Sequence, residues 1–419
     1  MNINQLLREQ IELIKLNKET MDRLNRDANN FVKELSERLK KNKIIADVFI
    51  GGSLAKKTIV KKDGYDIDIF VRFDKKYKDE ELSDILGKVL DKSAKRIHGS
   101  RDYYQQKVNE VIMEIIPVIK IAKQQDARNI MDLSYFHVAY INKTINKNKK
   151  LSDEIILTKT FAHAQDCYGA ESYIHGFSGY SLELIICYYG GFLKFIKEIV
   201  KSGKNKIIID SAKFYKNNNE ILRELNESKI NSPIILIDPT FKERNALAGL
   251  SDETFERFKE AGKRFLKNPS SSFFNKKDIQ KELKNKYGNK LIILGVKTNK
   301  QAGDIAGSKS KKFFEYFCRE LNKDFKIKIN EFNYNEDKNT AYFFIVIEKK
   351  NDELIQGPPI IETDFLKNFK KAHSNAFVKG KFAYVKIKHD LSFNEFVKKI
   401  KTRRGNILNQ MSIREIKLM

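Results

Sequence analysis

Two short segments near the N-terminus constrain the fold of this chain more than any other part of its sequence. Residues 49–58 read FIGGSLAKKT, which predicts a strand, a glycine turn and the start of a helix. Residues 66–71 read DIDIFV, which predicts a second strand. Because alternate side chains of a strand share one face, Asp66 and Asp68 should lie on the same side, and the isoleucines that follow them should enter a core.

These segments carry residue types that suit phosphate and metal chemistry. Two carboxylates at positions i and i+2 of a strand offer the oxygen ligands that Mg²⁺ prefers. Gly51, Gly52 and Ser53 would leave backbone N–H groups open at a helix N-terminus, where a phosphate can bind. Taken alone, a D-x-D pair is usually a solvated strand edge or turn, and a Gly-Ser pair is usually a helix cap. In this order and at this spacing, they favour nucleotidyl transfer.

A third acid lies in the middle of another predicted strand, residues 111–117, which read VIMEIIP. Burying an acid is costly unless it is paired or binds a metal. The alternative is a strand register that places Glu114 on the solvent face. We favour a functional role, because nucleotidyl transfer with two Mg²⁺ ions about 3.5–4 Å apart needs three carboxylates at one focus. Asp66 and Asp68 supply only two of them.

Charge and cysteine content narrow the class of protein. The 419 residues include 80 Lys and Arg and 55 Asp and Glu, which gives a net charge of +25. Such a charge indicates an anionic partner, most commonly nucleic acid. Lysine-rich genome usage is an alternative origin of this charge. Three widely spaced cysteines, Cys167, Cys187 and Cys318, favour neither a disulfide framework nor a zinc site. With no apolar run near the ~20 residues of a membrane span and no signal-peptide pattern, we expect a cytoplasmic protein without a membrane partner.

The hydrophobic pattern predicts a multidomain α+β chain. In the N-terminal part, helices are predicted at residues 3–41 and 80–90, and strands at 44–50, 66–73 and 108–121. From residue 152 to about 200 the pattern is helical, with a helix at 153–165 and a second helix whose apolar stripe extends from Leu182 to Ile196.

Beyond Phe274, strands and helices alternate as in small α/β modules. Strands are predicted at 291–296, 325–332, 342–348 and 382–387, and helices at 310–321 and 393–400. Gly357, Pro358 and Pro359 predict a fixed turn between a strand and a helix. We therefore predict three domains, at residues 1–150, 151–275 and 276–419.

The pattern G-S-x-A-x-x-T followed by D-x-D-I-F resembles the polymerase-β-like nucleotidyltransferases. Within that superfamily, the chain is most similar to the archaeal (class I) CCA-adding enzymes. The most specific segments, which nucleotidyltransferases in general lack, are residues 168–171, 176–190 and 238–251. The resemblance implies a polymerase-β-like catalytic head, a helical central neck that binds the nucleotide and base, and C-terminal α/β modules that bind tRNA.

The resemblance also implies the residues that perform the chemistry. Asp66, Asp68 and Glu114 would be catalytic and would hold Mg²⁺, with Glu114 standing where the family usually has Asp. Ser53 and Lys56, beside Gly52, match the triphosphate contacts of the family, with Lys56 in place of an arginine fork.

Four further residues match nucleotide contacts of the family. His137 matches a histidine near the nucleotide, and Lys159 and Tyr168 match a lysine and a tyrosine on the triphosphate. Arg244 matches an arginine that reads the incoming base. Without the resemblance, these residues would be interpreted as a structural histidine, a solvated helix lysine, a core aromatic and an ion-paired arginine.

The implied activity is addition of C, C and A to the 3′ end of tRNA from CTP and ATP, with Mg²⁺ and no nucleic-acid template. The C-terminal region would grip the acceptor stem and T-arm of tRNA through shape and phosphates, and the family suggests a homodimer. Two alternatives stay open. One is another template-independent polymerase of the poly(A) or oligoadenylate type, and the other is a non-catalytic tRNA-binding relative that kept the fold.

Overall fold

Residues 2–99, 101–203, 205–299, 301, 303–402 and 407–419 are described by a computed structural model of the protein. They form two compact units, of which the first comprises Met1–Ala170 and Ile174–Lys277, and the second Glu171–Tyr173 and Asp278–Met419. Both combine helices with sheets, which confirms the predicted α+β class. Within the described residues, no helix combines the length and the apolarity that a membrane span requires.

The first unit contains a strand-rich half followed by a helical half. Its α-helices and β-strands are, in chain order, α1 (Ile3–Ile14), α2 (Lys18–Lys41), β1 (Ala46–Ile50), α3 (Gly52–Ala55), β2 (Tyr65–Phe73), α4 (Leu82–Gly87), β3 (Lys95–Ile97), β4 (Tyr103–Val108), β5 (Val111–Ile119), α5 (Ser134–Lys147), α6 (Lys150–Ala164), α7 (Gly179–Tyr189), α8 (Phe192–Lys201), β6 (Ile207–Ile209), α9 (Asn218–Glu224), α10 (Glu227–Ile230), β7 (Ile234–Asp238), β8 (Phe241–Asn245) and α11 (Asp252–Lys267).

One sheet, in the strand order β1-β2-β5-β4-β3, dominates the strand-rich half. Strands β2 and β5 lie side by side and parallel, whereas β1 and β4 pair antiparallel with them from either side. One face of this sheet packs against leucines of α2 and α4, and its buried residues include Ile67, Ile69 and Met113. The residues that alternate with these along β2 and β5 therefore project from the opposite face of the sheet.

The predicted helix over residues 3–41 is wrong as a single element, because the chain breaks between Ile14 and Lys18. Asn17 caps the second helix, since its side chain accepts a hydrogen bond of 2.8 Å from the backbone N–H of Thr20. The two helices also enter different cores: α1 packs with the helical half, and α2 packs against the sheet.

A second correction concerns the apolar stripe from Leu182 to Ile196, which is divided between α7 and α8. Gly190, with φ of 75°, ends α7 in the left-handed conformation that favours glycine. Gly191 follows with φ of 150°, so the chain changes direction before Phe192. The stripe itself is core, as predicted, because Leu182 and Ile196 are both fully buried.

Phe161→Ala should lower the free energy of unfolding by about 3–5 kcal/mol. Phe161 is fully buried, and its ring centroid lies 5.2–6.4 Å from those of five other phenylalanines in the helical half. Its removal would leave a cavity that this packed cluster cannot easily fill. Urea unfolding measures the loss, and Phe214→Ala is the control, because Phe214 is exposed in the same unit. A loss equal to that of the control would contradict the assignment of this core.

The second unit contains two sheets and the helices that pack on them. Its elements are α12 (Ile279–Tyr287), β9 (Ile292–Thr298), α13 (Gly303–Asp324), β10 (Phe325–Asn335), β11 (Thr340–Lys349), β12 (Glu353–Pro359), α14 (Thr363–Ala372), β13 (Phe377–Lys379), β14 (Phe382–Ile387), α15 (Phe393–Thr402), α16 (Ile407–Gln410) and β15 (Ile413–Leu418).

The larger sheet of this unit has the order β10-β11-β9-β15, and the smaller has the order β12-β14-β13. The four strands and two helices predicted beyond Phe274 are all present. The strand at 382–387 has the predicted ends, and the ends of the other five elements differ from the prediction by at most seven residues. The turn predicted at Gly357, Pro358 and Pro359 is wrong. These residues end β12, where the pairing register with β14 shifts between Gln356 and Pro359.

Candidate active site

The three predicted carboxylates lie on neighbouring strands of the first sheet. Asp66 and Asp68 project from β2, and Asp68 stands directly opposite Glu114 of β5 in the parallel register. Ile67 and Ile69 are fully buried in the core on the other face, which confirms the predicted alternation. Glu114 is half-buried on the same face as Asp68, opposite the face that packs against α2 and α4, so its register places it beside the two aspartates.

Burial and mutual repulsion both disfavour the charged forms of the neighbouring acids Asp68 and Glu114. Burial raises the pKa of Asp68, a shift that the nearby Lys56 opposes. Burial, together with the charge of Asp68, raises the pKa of Glu114 to about 7, although Gln105 donates a hydrogen bond of 2.8 Å to its carboxylate. A divalent cation would offset this repulsion, and the donor set consists of the oxygens that Mg²⁺ accepts.

Asp66 is the outermost of the three acids. It is partly exposed, and its Oδ2 accepts a hydrogen bond of 2.6 Å from Lys62 Nζ. In this conformation, no group of three or more Asp, Glu, His or Cys side chains in the described residues is arranged to hold a metal ion. The Asp66 carboxylate would therefore have to move closer to Asp68 and Glu114 for the three acids to share a metal.

The glycine turn after β1 packs directly against Asp68. The backbone N–H of Gly51 donates to the carbonyl oxygen of Asp68 at 2.8 Å. Gly52 has φ of 57°, and a Cβ at this position would lie 1.6 Å from Asp68 Oδ2. The helix that follows, α3, is a single turn that contains the half-buried Ser53. Only glycine at position 52 allows the turn to lie this close to the Asp68 carboxylate.

Lys56 and Lys159, which are far apart in the sequence, meet on one carboxylate. Lys56 Nζ donates to Glu183 Oε2 at 2.6 Å, and Lys159 Nζ donates to Glu183 Oε1 at 2.7 Å. The hydroxyl of Thr58 also donates to Oε1, at 2.8 Å. Lys56 and Lys159 are 7% and 5% exposed, and Glu183 is fully buried. The interpretation of Lys159 as a solvated helix lysine is therefore excluded.

The two lysines determine the charge state of Glu183. Its burial acts to raise the pKa, but the ammonium groups of Lys159 and Lys56 outweigh burial and lower the pKa of Glu183 to about 2. The network therefore contains two cations and one anion.

Tyr168 joins Lys159 at the N-terminus of α7. A Cβ on Gly179, the first residue of α7, would lie 2.8 Å from the Tyr168 hydroxyl oxygen and 3.8 Å from Lys159 Cε. Ser178 caps this helix by accepting from the backbone N–H of Ser181 at 3.1 Å. Tyr168 and Lys159 thus both approach the same glycine.

His137 and Arg244 meet on a second buried carboxylate, that of Asp238 at the end of β7. Arg244 Nη1 donates to Asp238 Oδ2 at 2.7 Å, and His137 Nε2 lies 3.2 Å from the same oxygen. Thr240 Oγ1 and the Tyr180 hydroxyl donate to Oδ1 at 2.7 and 3.0 Å. Although burial acts in the opposite direction, His137 and Arg244 hold the pKa of Asp238 well below its usual range.

The ring of Tyr180 connects the two networks. It stacks on the His137 ring at a centroid distance of 4.0 Å and an interplanar angle of 25°. Arg244 and Lys56 lie 5.6 and 5.8 Å from its centroid. Tyr180 and Glu183 are three residues apart, so they occupy the same face of α7. The structure therefore brings Lys56, His137, Lys159, Tyr168 and Arg244 to the first turns of α7.

Sequence reasoning gave no role to Tyr180, Glu183 or Asp238, although they lie in the segments 176–190 and 238–251 that carry the family resemblance. A signal was present for both acids. Glu183 interrupts the apolar run SLELIIC, and Asp238 ends the apolar strand IILID. An acid in such a place requires a partner, the same argument that identified Glu114.

Comparisons with known proteins identify the family of this chain. Residues 153–275 match the family model described as tRNA nucleotidyltransferase, second domain, and residues 1–134 match the Second Messenger Oligonucleotide or Dinucleotide Synthetase domain. The CCA-adding enzyme of Nanoarchaeum equitans is 35% identical over 347 residues, which are 81% of this chain and 83% of that protein. The chain belongs to the CCA-adding enzyme family.

A second member of the family, the CCA-adding enzyme of Methanocaldococcus jannaschii, is 31% identical over 402 residues, covering 92% of this chain and 88% of its own. The crystal structure of the Cid1 poly(U) polymerase has a TM-score of 0.50 and 14% identity, and covers 65% of this chain and 98% of its own. This last likeness shows a shared nucleotidyltransferase fold. Membership of the CCA-adding enzyme family confirms the resemblance that the glycine and D-x-D motifs indicated.

Proposed function

We infer that this chain is a CCA-adding tRNA nucleotidyltransferase, and we propose how its residues perform the addition. The observation that carries the activity is the 35% identity to a CCA-adding enzyme over 81% of the chain. The reaction joins the 3′-hydroxyl of tRNA to the α-phosphorus of CTP or ATP, and pyrophosphate leaves. No nucleic-acid template takes part, so the protein and the tRNA end must select the base.

We assign the metal chemistry to Asp66, Asp68 and Glu114. Bound Mg²⁺ supplies charge stabilisation for the attacking oxygen and for the pyrophosphate. Asp66 and Asp68 would hold both ions, and Glu114 would contact the ion at the attacking hydroxyl. Gln105 supports this arrangement, because its hydrogen bond orients the Glu114 carboxylate.

We assign the triphosphate to Gly52, Ser53, Lys56, Lys159 and Tyr168. The turn at Gly52 and Ser53 offers backbone N–H groups beside Asp68, and the two lysines supply positive charge from the adjoining network. Because CTP and ATP share the triphosphate, these residues should serve both nucleotides equally.

We assign the base to His137 and Arg244. The buried carboxylate of Asp238 fixes one edge of the Arg244 guanidinium, and Tyr180 stacks on His137. A guanidinium in a fixed orientation presents its remaining donors in a defined direction. Such donors suit the acceptor atoms of cytosine and adenine.

Arg244→Ala should change the ratio of CTP to ATP use by about tenfold, because it removes charge-assisted hydrogen bonds to the base. The ratio is measured from kcat/KM for each nucleotide on tRNA ending after one C and after two. Affinity for tRNA should change little. Arg223→Ala is the control, since Arg223 is an exposed arginine of the same unit. An unaltered ratio would remove Arg244 from the base site.

The remaining assignments concern the whole chain. We propose a catalytic domain at residues 1–150, a neck at 151–275 and a tRNA-binding region at 276–419 that contacts the acceptor stem and T-arm. The net charge of +25 supports such a phosphate-binding role. We further propose a cytoplasmic homodimer, as the family resemblance implies.

Metal dependence tests the proposed chemistry. EDTA should abolish nucleotide addition, Mg²⁺ should restore it, and tRNA binding should persist throughout. If addition continues in excess EDTA, the assignment of the three acids to Mg²⁺ is wrong. If tRNA binds but no nucleotide is added with or without Mg²⁺, the chain is a non-catalytic relative.

A further inference from the structure

We propose that Glu183 is a positioning residue for the triphosphate, which acts by holding Lys56 and Lys159 side by side. The inference rests on the proposed function, in which these two lysines contact the phosphates. It adds a residue that has no direct contact with substrate.

The network consists of side chains from three separate segments of the chain. Lys56 follows the glycine turn of the sheet, Lys159 lies on α6, and Glu183 lies on α7. Each lysine uses a different oxygen of the carboxylate, at 2.6 and 2.7 Å. Thr58 adds a third donor, and its hydroxyl oxygen also lies 3.1 Å from Lys159 Nζ. Glu183 is thus the common acceptor that fixes how far apart the two ammonium groups stand.

The charges of this network favour an anion. Two ammonium groups and one carboxylate leave a net positive charge in a place that is more than nine-tenths buried. Without the carboxylate, two adjacent buried ammonium groups would repel each other with no counter-charge between them, and at least one would turn away. Glu183 therefore holds both ammonium groups at a fixed spacing, where a triphosphate can contact both.

The position of the network relative to the acids agrees with this role. The charge of Lys56 acts on Asp68, as does that of Lys159 to a lesser extent. The same ammonium group of Lys56 lies 5.8 Å from the ring of Tyr180, which stacks on His137. Lys56 thus acts on an acid proposed to bind metal and also lies beside the aromatic ring of the proposed base site, as expected of a residue that contacts the phosphates between them.

Kinetics of Glu183→Gln test the inference. The KM values for CTP and ATP should both rise by about tenfold, as expected for loss of a charge-assisted contact, while kcat at saturating nucleotide and the ratio of CTP to ATP use change much less. Inorganic tripolyphosphate, which has no base or sugar, should bind about tenfold more weakly by calorimetry. Glu183→Asp should give smaller shifts, because its carboxylate can still reach one lysine.

Glu154→Gln is the matched control. Glu154 is a partly buried acid of the same helical half whose Oε2 accepts from the backbone N–H of Phe192 at 2.7 Å. The same chemical change there should leave KM and tripolyphosphate affinity unaltered. If Glu183→Gln fails to fold, the KM values and tripolyphosphate affinity of Glu183→Asp are compared with those of Glu154→Gln instead.

Three results would overturn the inference: unchanged KM and tripolyphosphate affinity in Glu183→Gln, a loss confined to kcat, or a loss for one nucleotide only. These are distinct from failure of the proposed function. A wild-type chain that adds no nucleotide would refute that function, whereas tripolyphosphate binding would still decide whether Glu183 positions the lysines.

Discussion

Asp68→Asn should reduce nucleotide addition by about a thousandfold or more, while tRNA affinity changes less than about twofold. Asp68 stands opposite Glu114 in the parallel register and contacts the glycine turn, so it lies at the junction of the proposed metal and phosphate sites. Asparagine keeps the shape but removes the charge that would hold a divalent cation. Single-turnover extension of a tRNA that lacks CCA measures the first effect, and filter binding of the same tRNA measures the second.

Asp63→Asn is the control for this prediction. Asp63 is an exposed acid in the loop just before β2, and its replacement makes the same chemical change outside the proposed site. It should retain full activity. If Asp68→Asn keeps a tenth of wild-type activity or more, the role of Asp68 in metal binding is contradicted.

Gly52→Ala should lower kcat/KM by about a hundredfold or more, with a measurable loss of stability. The positive φ of Gly52 costs an alanine about 1–2 kcal/mol. In addition, the new Cβ would lie 1.6 Å from Asp68 Oδ2, so the turn, the carboxylate or both must move. Both are parts of the proposed phosphate and metal sites. The measurements are kcat/KM for CTP addition and the thermal unfolding midpoint.

Gly64→Ala provides the matched comparison for the glycine turn. An added Cβ at Gly64 would meet no atom within 4 Å, although the residue lies just before the same strand β2. This variant should match wild type in both measurements. Full activity in Gly52→Ala would show that the contact between the turn and Asp68 is dispensable.

The strand pattern was sufficient to predict that Asp66 and Asp68 share one face, whereas the face of Glu114 was left open. A period of two separates Asp66 and Asp68 from Ile67 and Ile69, and burial of those isoleucines enforces that separation. The side of the sheet on which Glu114 lies follows from the same alternation, once β5 pairs with β2. The outer strands β3 and β4 were not predicted, because residues 95–108 carry many polar and charged side chains and little apolar periodicity.

Helix ends were predicted less well than helix faces. Apolar spacing continues through the break between α1 and α2, and it also continues through Gly190 and Gly191. In the first case the hydrogen bond from Thr20 to Asn17 decides the end, and in the second the left-handed conformation of Gly190 decides it. Both are local effects that a periodicity of hydrophobic residues does not record.

Glu183 and Asp238, the two carboxylates that join the proposed nucleotide-binding residues, could not be found from spacing. Lys56 and Glu183 are 127 residues apart, and His137 and Arg244 are 107 residues apart. Only the tertiary fold brings them together. The sequence showed that each acid lies within an apolar segment and must therefore be paired when buried. It did not show which residues pair with it.

The most direct test of the account uses three tRNA transcripts, which end before CCA, after C and after CC. Each is incubated with Mg²⁺ and CTP, ATP or both, and the products are resolved to single nucleotides. We expect CTP to extend the first transcript by two residues and the second by one, ATP to extend only the third, and addition to stop after CCA. Long A-tails, or addition of either nucleotide to any end, would contradict the assignment of CCA addition to this chain.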